Sequence, residues 1–142
     1  RELVAWLVSS GQRFLFLTNY PSQTPGDLAS RLSVSGIEVR PSHFFTSAMA
    51  TAEFLDKQAA SRRRAFVVGE GALVHELYKI GFTISETDAD FVVLGETRHY
   101  NFEMIQRAAA LIQKGARFIA TNPDVAGPAG RLIASGFQED ER

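Results

Sequence analysis

Two Thr-Asn pairs carry the residue types best suited to chemistry in this chain, Thr18-Asn19 and Thr121-Asn122, the second continuing into Pro123-Asp124. Each follows a short apolar run, Phe14 to Leu17 in the first case and Phe118 to Ala120 in the second. A hydroxyl and an amide both donate hydrogen bonds, so either pair could hold an anion such as a phosphoryl group. In open α/β sheets the ligand crevice lies outside the carboxyl ends of the strands, which is where both pairs fall. The recurrence also lets the pairs face each other across a cleft. Spacing alone equally allows plain turns, with Thr18 and Asn19 bonding local backbone groups and Asn122 bonding its own backbone in a Pro-Asp turn.

Other chemistry-bearing residues read as structural. Gly69-Glu70-Gly71 follows a strand, but the third glycine of a dinucleotide fingerprint would have to stand at Val74, so the segment reads as a tight turn into a helix. His43, His75 and His99 are far apart and lack acidic neighbours at metal-ligand spacing, which favours packing or surface roles, with His75 on a partly exposed helical position. Arg62-Arg63-Arg64 precedes an apolar strand and reads as a solvated turn. Phe14, Phe16, Phe44, Phe45 and Phe54 read as core, since no basic residues interleave with them as a base-stacking platform requires.

The elements that must position these residues alternate between strand and helix periodicity, which predicts an α/β fold with a largely parallel sheet. The run Phe14 to Leu17 is read as a strand buried on both faces. Thr24 then caps a helix that starts at Pro25, with Asp27 completing a capping box, and the helix stops before Gly36. Pro41 to Thr46 is read as a connection holding a short apolar Phe44-Phe45 segment, after which Ser47 caps the next helix. Strands follow at Ala65 to Val68, at Phe91 to Leu94 and at Phe118 to Ala120, with helices from Ala72 to Ile80 and from Asn101 to Lys114.

The chain has 142 residues, 45% of them hydrophobic, enough for one ordinary domain with a real core. Its formal charge of -1 gives no reason to expect nucleic acid or an anionic membrane as a partner. No cysteine is present, which excludes disulfides, thiolate metal sites and a cysteine nucleophile, and fits a cytoplasmic protein. No membrane span or signal peptide is visible. The chain opens at Arg1, already inside an amphipathic pattern, so it is read as a piece of something longer, with a frayed tail from Gln138 to Arg142.

Five ordered segments resemble one family. They are Thr18 to Thr24, Phe45 to Ala52, Val67 to Leu73, Asp90 to Gly95 and Phe118 to Asp124. Together they are similar to the NagD-type ribonucleotide monophosphatases of the haloacid dehalogenase superfamily, over Arg1 to about Asp124. The resemblance implies residues 1–45 as a fragment of a Rossmann-like core and residues 46–142 as a C2-type α/β cap domain, incomplete at its C-terminal end. It implies a magnesium-dependent hydrolase of small phosphorylated metabolites, with nucleoside 5′-monophosphates such as UMP the first expectation. Thr18 would be the second-motif residue that contacts the transferring phosphoryl oxygens, with Asn19 beside it. Asn122 and Asp124 would lie where the cap faces the active site and helps select substrate.

The same comparison implies that the aspartate nucleophile, the third-motif lysine and the acidic metal-binding motif stand outside this chain, so that the chain alone is inactive. Asp88-Ala89-Asp90 resembles the family's nucleophile pair, yet its apolar strand follows the second aspartate instead of preceding the first. It is read as a solvated turn entering a strand. The alternative is a non-catalytic truncated or split product that acts as a cap-like binding or assembly module. An incomplete core would also expose apolar faces and favour self-association.

Overall fold

Strands β1 (Phe16–Thr18) and β2 (Phe44–Thr46) pair in parallel, with Phe16 opposite Phe44 and Thr18 opposite Thr46. This is seen in a computed structural model of the chain, which describes residues 1–123. Asp124 and the expectations for Val125 to Arg142 lie outside the described residues. Parallel strands need a crossover, and helix α2 (Pro25–Val34) supplies it. Its start is fixed as the sequence predicts. The Asp27 amide donates to Thr24 Oγ1 at 3.2 Å while the Thr24 amide donates to Asp27 Oδ2 at 2.9 Å. Gly36 follows the helix with a φ of +73°, a conformation that favours glycine.

The first strand is not buried on both faces. Leu15 is 51% exposed and Leu17 75% exposed, while Phe14 and Phe16 turn inward. That alternation is the period of two of a strand covered on one side only. The inward rings form a short stack: Phe14 lies edge-on to Phe16 with centroids 5.6 Å apart, and Phe16 stacks on Phe44 at 5.1 Å. The Phe44-Phe45 segment is thus a sheet strand, not part of a connection. Helix α1 (Glu2–Ser9) precedes this pair and buries no residue.

Helix α3 (Ser47–Ala59) leads from β2 to a second sheet. Its cap is Thr46, not Ser47: the Met49 amide donates to Thr46 Oγ1 at 3.2 Å. One position decides this, because a cap needs extended backbone, which Thr46 has as the last residue of β2. Phe54 is 46% exposed, so it does not join the core as its apolar neighbours do.

The second sheet has the order β4-β3-β5-β6, all parallel: β3 (Arg64–Val68), β4 (Thr83–Ile84), β5 (Phe91–Leu94) and β6 (Arg117–Ala120). Helix α4 (Gly71–Lys79) links β3 to β4, and helix α5 (Phe102–Gln113) links β5 to β6. Alternate residues along β3 and β5 serve two cores. On one face Ala65, Phe91 and Val93 pack with Leu55 of α3 and with Leu73 and Leu77 of α4. On the other Phe66, Val68 and Val92 pack with Leu111 of α5. Each fully buried leucine contributes about 1.5–3 kcal/mol of transfer free energy, so Leu55, Leu73 and Leu77 anchor the first layer.

Strand β6 is less covered than its apolar run, which reads as a buried strand, suggests. Among the described residues it lies at the sheet edge, and Phe118 is 51% exposed. Among the described residues no helix is long and apolar enough to cross a membrane.

Candidate functional site

The carboxyl ends of β1, β3, β5 and β6 carry the residues that could meet a ligand. At the end of β1, Thr18 is half-buried and its Oγ1 accepts a hydrogen bond from the Tyr20 amide at 3.2 Å. The local backbone bond of the plain-turn reading therefore forms. It does not use up the side chain, because the hydroxyl proton remains a donor. The bond instead fixes where the oxygen sits. Asn19 is exposed beside it.

The two Thr-Asn pairs come together. Asn122 Nδ2 donates to the Asn19 carbonyl oxygen at 3.2 Å, bridging residues 103 apart in sequence and joining the end of β6 to the end of β1. This contact meets the expectation that the pairs face one another. Asp124 lies outside the described residues.

Glycines make the neighbouring strand ends close enough to cooperate. A Cβ on Gly95 would stand 2.8 Å from Leu73 Cδ2, and one on Gly69 would stand 3.1 Å from the same atom and 3.5 Å from the Gly95 Cα. The turn predicted at Gly69-Glu70-Gly71 forms, with Glu70 as the residue before α4. Across it, Thr97 donates its hydroxyl to Glu70 Oε1 at 2.6 Å, and His99 Nδ1 lies 3.4 Å from the same oxygen. The Thr97 hydrogen bond, more than His99, holds the Glu70 carboxyl below the ordinary glutamate range, against the opposing effect of burial. Glu70 therefore stays ionised at neutral pH. Together with Tyr20, Gln23 and Arg98, these three residues line a hollow of about 250 Å³ between the β1 end and the second sheet.

Reading the residues one by one missed Glu70 and Thr97 as a pair. The available signal was a repeat: Val67-Val68-Gly69-Glu70 and Val93-Leu94-Gly95-Glu96 each place Gly-Glu after a buried strand. His99 is on the surface as expected, and its acidic neighbour comes from 29 residues away. His75 is exposed on α4, and His43 packs its ring 4.3 Å from that of Phe14.

Asp88 and Asp90 are not at the strand carboxyl ends. They stand at the opposite edge, where Arg64 donates to Asp90 through Nε at 3.0 Å and through Nη2 at 3.0 Å, and also pairs with Asp88. The Arg64 guanidinium lowers the Asp90 pKa, and the pair of aspartates closes the sheet edge as an ion-pair cluster.

Parallel strands whose carboxyl ends gather hydroxyl and amide donors define an α/β protein, and in open α/β sheets that edge is where ligands bind. Residues 1–83 match the family of haloacid dehalogenase-like hydrolases, and the chain belongs to that family. The ribonucleotide monophosphatase NagD of Escherichia coli K12 is 50% identical over 142 residues, covering 97% of this chain and 56% of that protein. A dihydroxyacetone phosphatase of Corynebacterium glutamicum is 47% identical over 132 residues, covering 92% of this chain and 48% of that protein. The solved structure of NagD from Escherichia coli K-12 superposes with a TM-score of 0.83 at 51% identity, over 94% of this chain and 52% of that one. The chain spans about half the length of the curated relatives it matches.

Proposed function

We propose that this chain supplies the phosphoryl-contacting strand end and the substrate-facing α/β unit of a phosphate monoester hydrolase. The observation that carries the reading is the Asn122 to Asn19 hydrogen bond, which brings both Thr-Asn pairs to one edge. In this reading residues 1–45 belong to the catalytic core and residues 46–142 to its cap. Thr18 donates its hydroxyl to a non-bridging phosphoryl oxygen, from a position held by the Tyr20 amide. Neutral donors suit that role, since charge developing on the phosphoryl oxygens is stabilised by dipoles already in place. Asn19 adds a second polar contact, Asn122 ties the cap to that edge, and Asp124 is assigned a part in substrate selection.

Similarity to the ribonucleotide monophosphatase supports nucleoside 5′-monophosphates such as UMP as the leading substrates. The nucleophile, the general acid and the metal ligands are assigned to parts of the protein outside the described residues. Magnesium is the family's expected cofactor. Among the described residues no group of three or more His, Cys, Asp or Glu gathers to hold an ion, so these residues do not fit its site and no step here passes through it. The exposed Leu3, Trp6, Leu15 and Leu17 support burial against further polypeptide or a second copy, a surface that a split binding module would also present.

The test is orthophosphate release by the natural protein that carries this chain, from UMP, dihydroxyacetone phosphate and p-nitrophenyl phosphate, beside the purified 142-residue chain. Turnover of UMP by the former and negligible turnover by the latter are expected. Equal turnover by the 142-residue chain would refute the assignment of the nucleophile elsewhere, and no turnover of any ester by the natural protein would favour the binding-module reading.

A further inference from the structure

The Arg62-Arg63-Arg64 run takes no part in the strand-end site. It lies at the amino-terminal edge of the second sheet, where β3 begins at Arg64 and β6 begins at Arg117. Two of its three cations are engaged within the fold. Arg63 pairs with Asp56 at 2.8 Å, and Arg64 is held by Asp88 and Asp90. Arg62, Lys114 and Arg117 have no carboxylate within ion-pair distance among the described residues.

These three cations line one hollow of about 280 Å³, together with Gln58 and Phe91. Arg62 also lines an adjoining hollow with Arg63 and Arg64. The Arg117 guanidinium is oriented before any ligand arrives: it lies 5.5 Å from the centre of the Phe91 ring and its Nη2 donates to Gln58 Oε1 at 3.4 Å. A guanidinium so held presents its remaining donors as a fork that matches the oxygens of a phosphate. Asp88 and Asp90 share the rim; Arg64 offsets one of their two charges, and Arg62 also acts on Asp90 through space. With Arg64 counted, four cations face two carboxylates, a local excess of positive charge that suits one small anion, while the net charge of -1 disfavours an extended phosphate backbone.

We propose that this hollow binds a phosphate dianion, as free orthophosphate or as the phosphoryl group of a small ester, at a site separate from Thr18. The inference does not depend on the proposed hydrolase activity.

The test is an amide NMR titration of the 142-residue chain with sodium phosphate and, separately, with glycerol 2-phosphate, each at an ionic strength held constant with sodium chloride. Saturable shifts at Arg62, Gly115, Ala116 and Arg117 are expected, and whichever ligand saturates at the lower concentration identifies the source of the phosphoryl group. Arg62→Gln and Arg117→Gln alter exposed side chains, and each is expected to weaken binding about tenfold, with changes in the unliganded spectrum confined to immediate neighbours such as Gln58 and Phe91. Shifts that rise linearly, or that chloride reproduces, would mean an adventitious ion only and overturn the proposal. Saturable shifts that survive both substitutions would overturn it as well. Saturation confined to Thr18 and Asn19 would overturn it while supporting the strand-end site.

Discussion

Replacing Gly95 with alanine is expected to loosen the edge on which the candidate site is built. The new methyl would sit 2.8 Å from Leu73 Cδ2, whereas apolar carbons rest at about 3.5–4.0 Å, so one of them must move by roughly 0.7 Å or more. Leu73 cannot retreat, because it is fully buried in the layer that holds Leu55, Leu77 and Val93. The strand end must shift instead, with Thr121 Cγ2 at 3.6 Å blocking a second direction. Overpacking of this kind costs about 1–3 kcal/mol, which lowers the melting temperature of a domain this size by roughly 3–10 °C. Thermal melts of the chain followed by circular dichroism would measure it. Gly69→Ala, with its 3.1 Å contact, is expected to cost less, and Gly71→Ala, whose Cβ meets nothing within 4 Å in the first turn of α4, is expected to be neutral or stabilising. Equal melting temperatures for Gly95→Ala and Gly71→Ala would refute the reasoning from close strand approach.

Further outcomes follow from single interactions. Thr24→Ala removes the cap of α2 and is expected to lower stability by about 1 kcal/mol in urea unfolding, while Ser47→Ala, at a position that does not cap α3, is expected to leave that helix's start in place. Thr97→Val removes the main hydrogen bond to Glu70 and is expected to raise the Glu70 pKa toward the ordinary glutamate value, measured by NMR titration of its carboxyl group. Because the folded-state pKa of Glu70 is depressed, its contribution to stability is complete above the unfolded-state value and disappears as pH falls through the folded-state one. Acid unfolding of Thr97→Val is therefore expected to depend less on pH across that interval, and an unchanged profile would contradict the assignment.

Much of the architecture was legible where local signals agreed. Thr24, Pro25 and Asp27 mark the start of α2 because capping is a short-range event, and β5 matches its apolar run from Phe91 to Leu94 because both of its faces are covered. Exposure was less legible. Phe14 to Leu17 and Phe118 to Ala120 look like buried strands by composition, yet among the described residues β1 is covered on one face and β6 is an edge. Composition records which residues can be buried, whereas neighbours in space decide which are. Strand β4 has only Thr83 and Ile84, too short for any periodicity. In the candidate site, Thr18 and Asn19 stood out because they interrupt an apolar run. Glu70, Thr97 and His99 did not, since their association spans 27 and 29 residues and depends on two glycines that let strand ends approach.

The most direct test of the central claim is kcat for the natural protein that carries this chain, compared with its Thr18→Val and Thr18→Ser variants on UMP. Valine keeps the shape and removes the donor, whereas serine keeps the donor. The strand-end account predicts that Thr18→Val lowers kcat by about 10²–10³-fold, as loss of one preorganised donor does, and that Thr18→Ser retains most of the activity. A Thr18→Val variant that turns over UMP at the wild-type rate, with an unchanged melting temperature, would contradict it.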